Sequence, residues 1–154
     1  MKTAIGAAVA LYLIFAPAVH AESVRQTLDE FGFLGSWAQD CERPADRENV
    51  WREVTATDDG ARFTESLGAG FVPSSYRVLA AKRAGADGIV LSIELNGHIQ
   101  QELTMVRRGN RIRTMVNQPF GSDAPVVRDG VVTANGLSTP WLTRCEASRL
   151  RAAL

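Results

Sequence analysis

Few residues in this chain of 154 are suited to acid–base, nucleophilic or metal chemistry. Its histidines are His20 and His98, and its cysteines are Cys41 and Cys145. A nucleophilic triad needs an imidazole beside its serine or cysteine, and a transition-metal site needs several imidazole or thiolate ligands. His20 stands in an N-terminal segment expected to be removed. That leaves His98, which follows Asn96-Gly97 and reads as a turn residue. Lys82 is the one lysine beyond that segment, and no motif surrounds it. Asp58 and Asp59 form a carboxylate pair, but the Asp-Asp-Gly run is turn chemistry. Gly60, Gly68 and Gly70 fit no phosphate-binding loop. These residues predict a protein that is not an enzyme and has no metal site and no cofactor.

The N-terminal segment sets the expected compartment. Met1-Lys2 is followed by an apolar run from Ala4 to Val19, and Val19-His20-Ala21 offers small residues to a signal peptidase. The run falls short of the ~20 residues of a bilayer span, so a cleaved signal peptide over residues 1–21 is expected. A single domain of 133 residues, 22–154, would remain in the periplasm or outside the cell. It would have no transmembrane span. Its net charge would be about −1, which names no partner. In that oxidising setting Cys41 and Cys145 are expected to pair. In the chain-entropy picture, closing a loop of this length contributes about 4–5 kcal/mol.

The elements that must position these residues are short and β-rich. Val24, Leu28 and Phe31 share one helical face, and Gly32 ends the segment. Strands are predicted at 35–41, 50–57, 61–67, 75–82, 88–95, 99–108, 111–117, 125–128, 131–134 and 141–145. Turn chemistry separates them at Asp58-Asp59-Gly60, Gly85-Ala86-Asp87-Gly88, Asn96-Gly97, Gly109-Asn110 and Asp129-Gly130. Such spacing predicts an all-β antiparallel up-and-down barrel of about eight strands behind a short N-terminal helix. A helical tail is expected from Glu146 onward. Parity refines two hairpins. A two-residue Gly109-Asn110 loop sets Arg108 opposite Arg111, Arg107 opposite Ile112, Met105 opposite Thr114 and Leu103 opposite Val116. Ile99, Leu103, Met105, Ile112 and Val116 then share the core face. A three-residue Asn96-Gly97-His98 loop pairs Leu95 with Ile99 and turns Gln101 inward, where its amide needs a partner.

Arg107, Arg108, Arg111 and Arg113 make the densest charge feature. Arg108, Arg111 and Arg113 read as a solvated face that blunts edge pairing. As an anion site the hairpin would meet lipopolysaccharide, an acidic partner or a charged ligand. Nucleic acid is not expected, because no exposed aromatics interleave. Arg107 falls on the core side at a strand end, placing it at a barrel mouth beside an acidic headgroup. Phe71, in the apolar and glycine-rich 67–73 segment, is a candidate rim contact.

Gly35-Ser36-Trp37 on the first strand, with Trp141-Leu142-Thr143-Arg144-Cys145 on the last, resembles the calycin pattern. That superfamily includes the lipocalins and the bacterial serralysin inhibitors. The resemblance implies a barrel whose interior is packed or holds a small ligand, with Arg144 lying over the Trp37 ring. Pairing Cys41 opposite Cys145 in one ladder would instead set Arg149 against Trp37; otherwise the cysteines meet through a loop outside the ladder. Two functions follow. One is binding of a small lipophilic or anionic ligand, or of an envelope protein, with Arg107, Phe71 and Gln101 as candidate contacts. The other is protease inhibition through residues 22–34 acting as an arm ahead of the barrel.

Overall fold

Period-two alternation of apolar and polar residues, broken by glycine turns, yields an antiparallel barrel in the computed structural model, which describes residues 16–146, with side chains from Ser23. Helix α1 (Ala16–Phe31) comes first. Strands β1 (Gly35–Ala38), β2 (Trp51–Thr57), β3 (Gly60–Ser66), β4 (Ser74–Ala84), β5 (Gly88–Leu95), β6 (Ile99–Arg108) and β7 (Arg111–Pro119) follow as a meander. A small hairpin, β8 (Val127–Arg128) and β9 (Val131–Val132), precedes β10 (Leu142–Cys145). Strand β10 pairs with both β1 and β7, so eight strands close the barrel and β8–β9 branches from β7. Most predicted strands appear within one or two residues of their expected bounds. The predicted helical tail lies outside the described residues, as does the signal segment up to residue 15.

The turns at 58–59, 85–87 and 109–110 lie at one end of the barrel, and α1 packs across that end against β3 and β4. Val24, Leu28 and Phe31 are fully buried there. Gly32 ends the helix with φ +69°. Its N–H donates to the Asp29 carbonyl at 2.7 Å, and the Phe33 N–H donates to the Leu28 carbonyl at 2.8 Å. This is a Schellman cap, which favours glycine in the left-handed position. From the plug, a chain of rings rises through the interior. Phe33 stacks on Phe63 with centroids 6.4 Å apart, and Phe63 meets Tyr76 at 5.7 Å. With Trp37, Ile89, Leu91, Met105 and Ile112, Phe33 packs the closed-end half of the barrel, while Phe63 and Tyr76 reach toward the mouth.

Parity holds for both hairpins near their turns. Arg108 faces Arg111, Met105 faces Thr114, and Leu95 faces Ile99 across the three-residue loop. One expectation fails further along. A bulge at Met115 sets Leu103 opposite Asn117 rather than Val116. One extra residue reverses the faces beyond it, so Asn117, not Val116, takes the inward place. Ile99 is also less buried than expected, at 41% exposed on the rim.

The cysteines are joined, with Cα atoms 5.5 Å apart. Strand β1 stops at Ala38, short of the predicted 41. Cys41 therefore lies outside the ladder, while Cys145 pairs with Ser36. The 39–50 loop turns back on the outer wall. There Cys41, Cys145, Ala38, Ala45 and Trp51 form a second small core. Asn49, 1% exposed, holds the loop together. Its amide donates to the carbonyls of Asp40, Arg43 and Pro44, and its side-chain oxygen accepts the Asp40 N–H.

Candidate ligand recess at the barrel mouth

Helix α1 covers one end of the barrel, and among the described residues a recess lies toward the other. Arg52, Glu65, Tyr76, Gln101, Thr114 and Asn117 are inward-facing positions near the mouth ends of β2, β3, β4, β6 and β7. With Phe63, Ile93 and Leu103 below them, they line a recess of about 360 Å³. The chain between β9 and β10 forms its outer wall through Asn135, Leu137, Ser138, Thr139 and Pro140. The Thr139 hydroxyl fixes that wall by donating to the Thr114 carbonyl at 2.7 Å.

The recess is apolar with a defined polar lining. The Arg52 guanidinium donates to Glu65 Oε1 at 2.7 Å and to the Thr114 hydroxyl at 3.1 Å, and it lies 5.7 Å from the Phe63 ring centroid. Its positive charge is thus already met inside the barrel. Burial, aided by the Glu65 carboxylate, pushes the Tyr76 phenol above its ordinary pKa of 10.0. It stays a neutral hydroxyl at physiological pH. The side-chain carbonyl oxygen of Asn117 is buried and accepts no hydrogen bond among the described residues. Gln101, predicted to turn inward, lies in this lining.

The rim is apolar as well. Among the described residues the exposed large hydrophobic side chains are Leu67, Phe71, Val72, Ile99, Phe120, Val126 and Leu137. All stand on the loops or strand ends at the mouth.

The three residues expected to form one contact set are not brought together. Gln101 is in the recess. Phe71 is on the rim as predicted, but it borders a separate shallow hollow with Ala45, Arg47 and Leu67. The Arg47 guanidinium lies 4.7 Å from its ring centroid. Arg107 is at the opposite end. Parity turned it inward correctly, but β6 runs from mouth to plug, so its guanidinium lies 5.3 Å from the ring centroid of Phe31 at the closed end. Sequence reasoning missed Arg52, Glu65, Tyr76 and Asn117. Arg52, Glu65 and Tyr76 alternate in register with the core residues Val54, Phe63 and Val78, and that polar break in an apolar face was a usable signal.

The Gly35-Trp37-Arg144 set is assembled at the closed end. Trp37 pairs with Arg144 in the ladder, and the guanidinium lies 5.9 Å from its ring centroid and donates to the Leu34 carbonyl at 3.0 Å. Gly35 has φ +122°, a backbone conformation that favours glycine, and a Cβ there would meet Arg144 Nε at 3.4 Å, an ordinary contact. Arg149 lies outside the described residues, and the pairing that would bring it to Trp37 required Cys41 opposite Cys145 in the ladder, whereas Cys145 pairs with Ser36. Among the described residues no group of three or more His, Cys, Asp or Glu converges, and no helix is long and apolar enough to cross a membrane. No protein-family model, curated protein or solved structure matches the chain.

Proposed function

We propose that this chain is a non-enzymatic, exported binding protein of the calycin type, lipocalin-like in taking one small ligand into the mouth of its barrel. The observation that carries the reading is the recess itself, which sets Phe63, Ile93 and Leu103 beside a polar lining that includes Asn117, whose buried side-chain oxygen has no partner among the described residues. Recesses of this size suit small organic molecules, and a buried acceptor favours a ligand that brings an N–H or O–H to it. Glu65 already balances Arg52, so the lining favours a neutral, largely apolar ligand with one donor over the acidic ligand anticipated for Arg107. The apolar rim gives such a molecule a path in. Signal cleavage after Ala21 and a periplasmic or secreted location belong to the same proposal. The closed disulfide supports them.

Protease inhibition through residues 22–34 has less support. That reading needs a free arm, whereas Val24, Leu28, Phe31 and Phe33 are at most 2% exposed and form the barrel plug.

The test compares N-phenylnaphthylamine, which carries one N–H, with phenylnaphthalene, which carries none. The folded protein is expected to bind the amine saturably and more tightly. Asn117→Leu should erase the preference while raising the stability of the unliganded protein by about 1–3 kcal/mol, because it removes an unsatisfied buried acceptor. Equal binding of the two probes, or no binding beyond that of the urea-unfolded chain, would overturn the reading.

A further inference from the structure

The basic hairpin holds a second feature, on the outer wall and independent of the recess. Strand β10 runs beside β7, with Leu142 opposite Ile112 and Thr143 opposite Arg111. This brings Trp141 onto the face that Arg108, Arg111 and Arg113 share. Their guanidinium carbons lie 5.4, 5.5 and 6.0 Å from the centroid of the same indole. Arg113 is committed to the wall: it donates to the Thr139 hydroxyl at 3.1 Å and to the Gly130 carbonyl at 2.6 Å. Arg108 and Arg111 are exposed, face each other across the hairpin, and have no carboxylate partner among the described residues. Among the described residues, two cations are thus held side by side with an aromatic base and no counter-charge, in a chain whose formal net charge is zero.

Like charges directly opposite on a hairpin repel, and an anion spanning them relieves that repulsion. Guanidinium favours phosphate oxygens through paired N–H donors. We propose that Arg108, Arg111 and Trp141 form a docking surface for an anionic phospholipid bilayer, with headgroup phosphates on the arginines and the indole at the interface. A bilayer is favoured over a free phosphate because it engages both parts of the surface. Phosphate alone uses only the arginines, whereas indoles settle at the headgroup level of membranes.

The test is co-sedimentation of the full oxidised chain with phosphatidylglycerol-containing vesicles and with pure phosphatidylcholine vesicles, over a salt series. All variants keep residues 1–21, so any binding through that apolar stretch is common to every sample. The arginine-dependent increment is the readout. Wild type is expected to gain binding on the anionic vesicles and to lose that gain as salt rises. Arg108→Gln and Arg111→Gln should each lower the partition coefficient roughly fivefold. Arg62→Gln, an exposed arginine on the wall of β3, should leave it unchanged. Trp141→Phe should remove a blue shift of emission on the anionic vesicles, since Trp37 and Trp51 are buried. Equal binding to both vesicle types, or wild-type binding by Arg108→Gln and Arg111→Gln, would sink the proposal. Full displacement by inorganic phosphate at constant ionic strength would also overturn it, assigning the surface to a simple anion.

Discussion

Tyr76 shows how a single residue reports on the mouth. Its phenol is held above its ordinary pKa of 10.0 first by burial and then by Glu65. The folded state therefore keeps its proton where the unfolded chain has begun to lose it. Stability is fully present below the unfolded value, and it falls as pH rises from about 10 through the higher folded value. Tyr76→Phe is expected to flatten that alkaline decline in denaturant midpoints taken across the window. An unchanged slope would mean that the phenol is equally hydrated in both states. The sequence announced Gln101 as an inward amide by parity alone. It could not announce Asn117, whose inward aim depends on a bulge two residues earlier.

At the scale of elements, α1 acts as a plug rather than as an appendage. The spacing of Val24, Leu28 and Phe31 marked an apolar helical face, but periodicity does not say what that face covers. It covers the closed end, beneath Ala61, Val78 and Ile89. Leu28→Ala should lower unfolding free energy by about 2–5 kcal/mol, as for a fully buried leucine. Urea unfolding measures it directly, and a change within error would describe a helix that is only loosely attached. Strand β1 teaches a related lesson. Its apolar pattern predicted pairing out to Cys41, yet the ladder ends at Ala38. The loop that follows is satisfied instead by Asn49, whose side chain serves four backbone groups. One buried amide can thus replace a stretch of ladder, and nothing in local propensity signals where that happens.

For the whole molecule, closure is secured twice. Strand β10 bonds to both β1 and β7, and the disulfide ties the loop after β1 to the last residue of β10 across 104 positions of chain. The bridge lies outside the barrel wall, so its effect falls on the unfolded chain more than on the ladder. Replacing both cysteines by alanine should cost about 4–5 kcal/mol in the chain-entropy limit. The barrel signature in circular dichroism should survive, because the β1–β10 pairing is intact. Loss of the fold would instead assign closure to the covalent link. The surface is also polarised: large exposed apolar side chains at the mouth, and unpaired arginines on the wall near the plug. The two proposed contacts therefore fall on separate surfaces.

The strands, the turn lengths, the helical face and the paired cysteines were readable from sequence because each is set by residues a few positions apart or by simple count. Alternation gives a strand its two faces, and Asn-Gly or Gly-Asn gives a hairpin its loop. Tertiary structure alone decided which end of the barrel each strand terminus reaches. That placement moved Arg107 from the expected mouth to the plug and joined Trp141 to arginines some thirty positions earlier. It also decided where a bulge reverses parity, turning Asn117 rather than Val116 inward. Direction around a closed barrel and the location of a single extra residue depend on all eight strands at once, and no local window of sequence contains them.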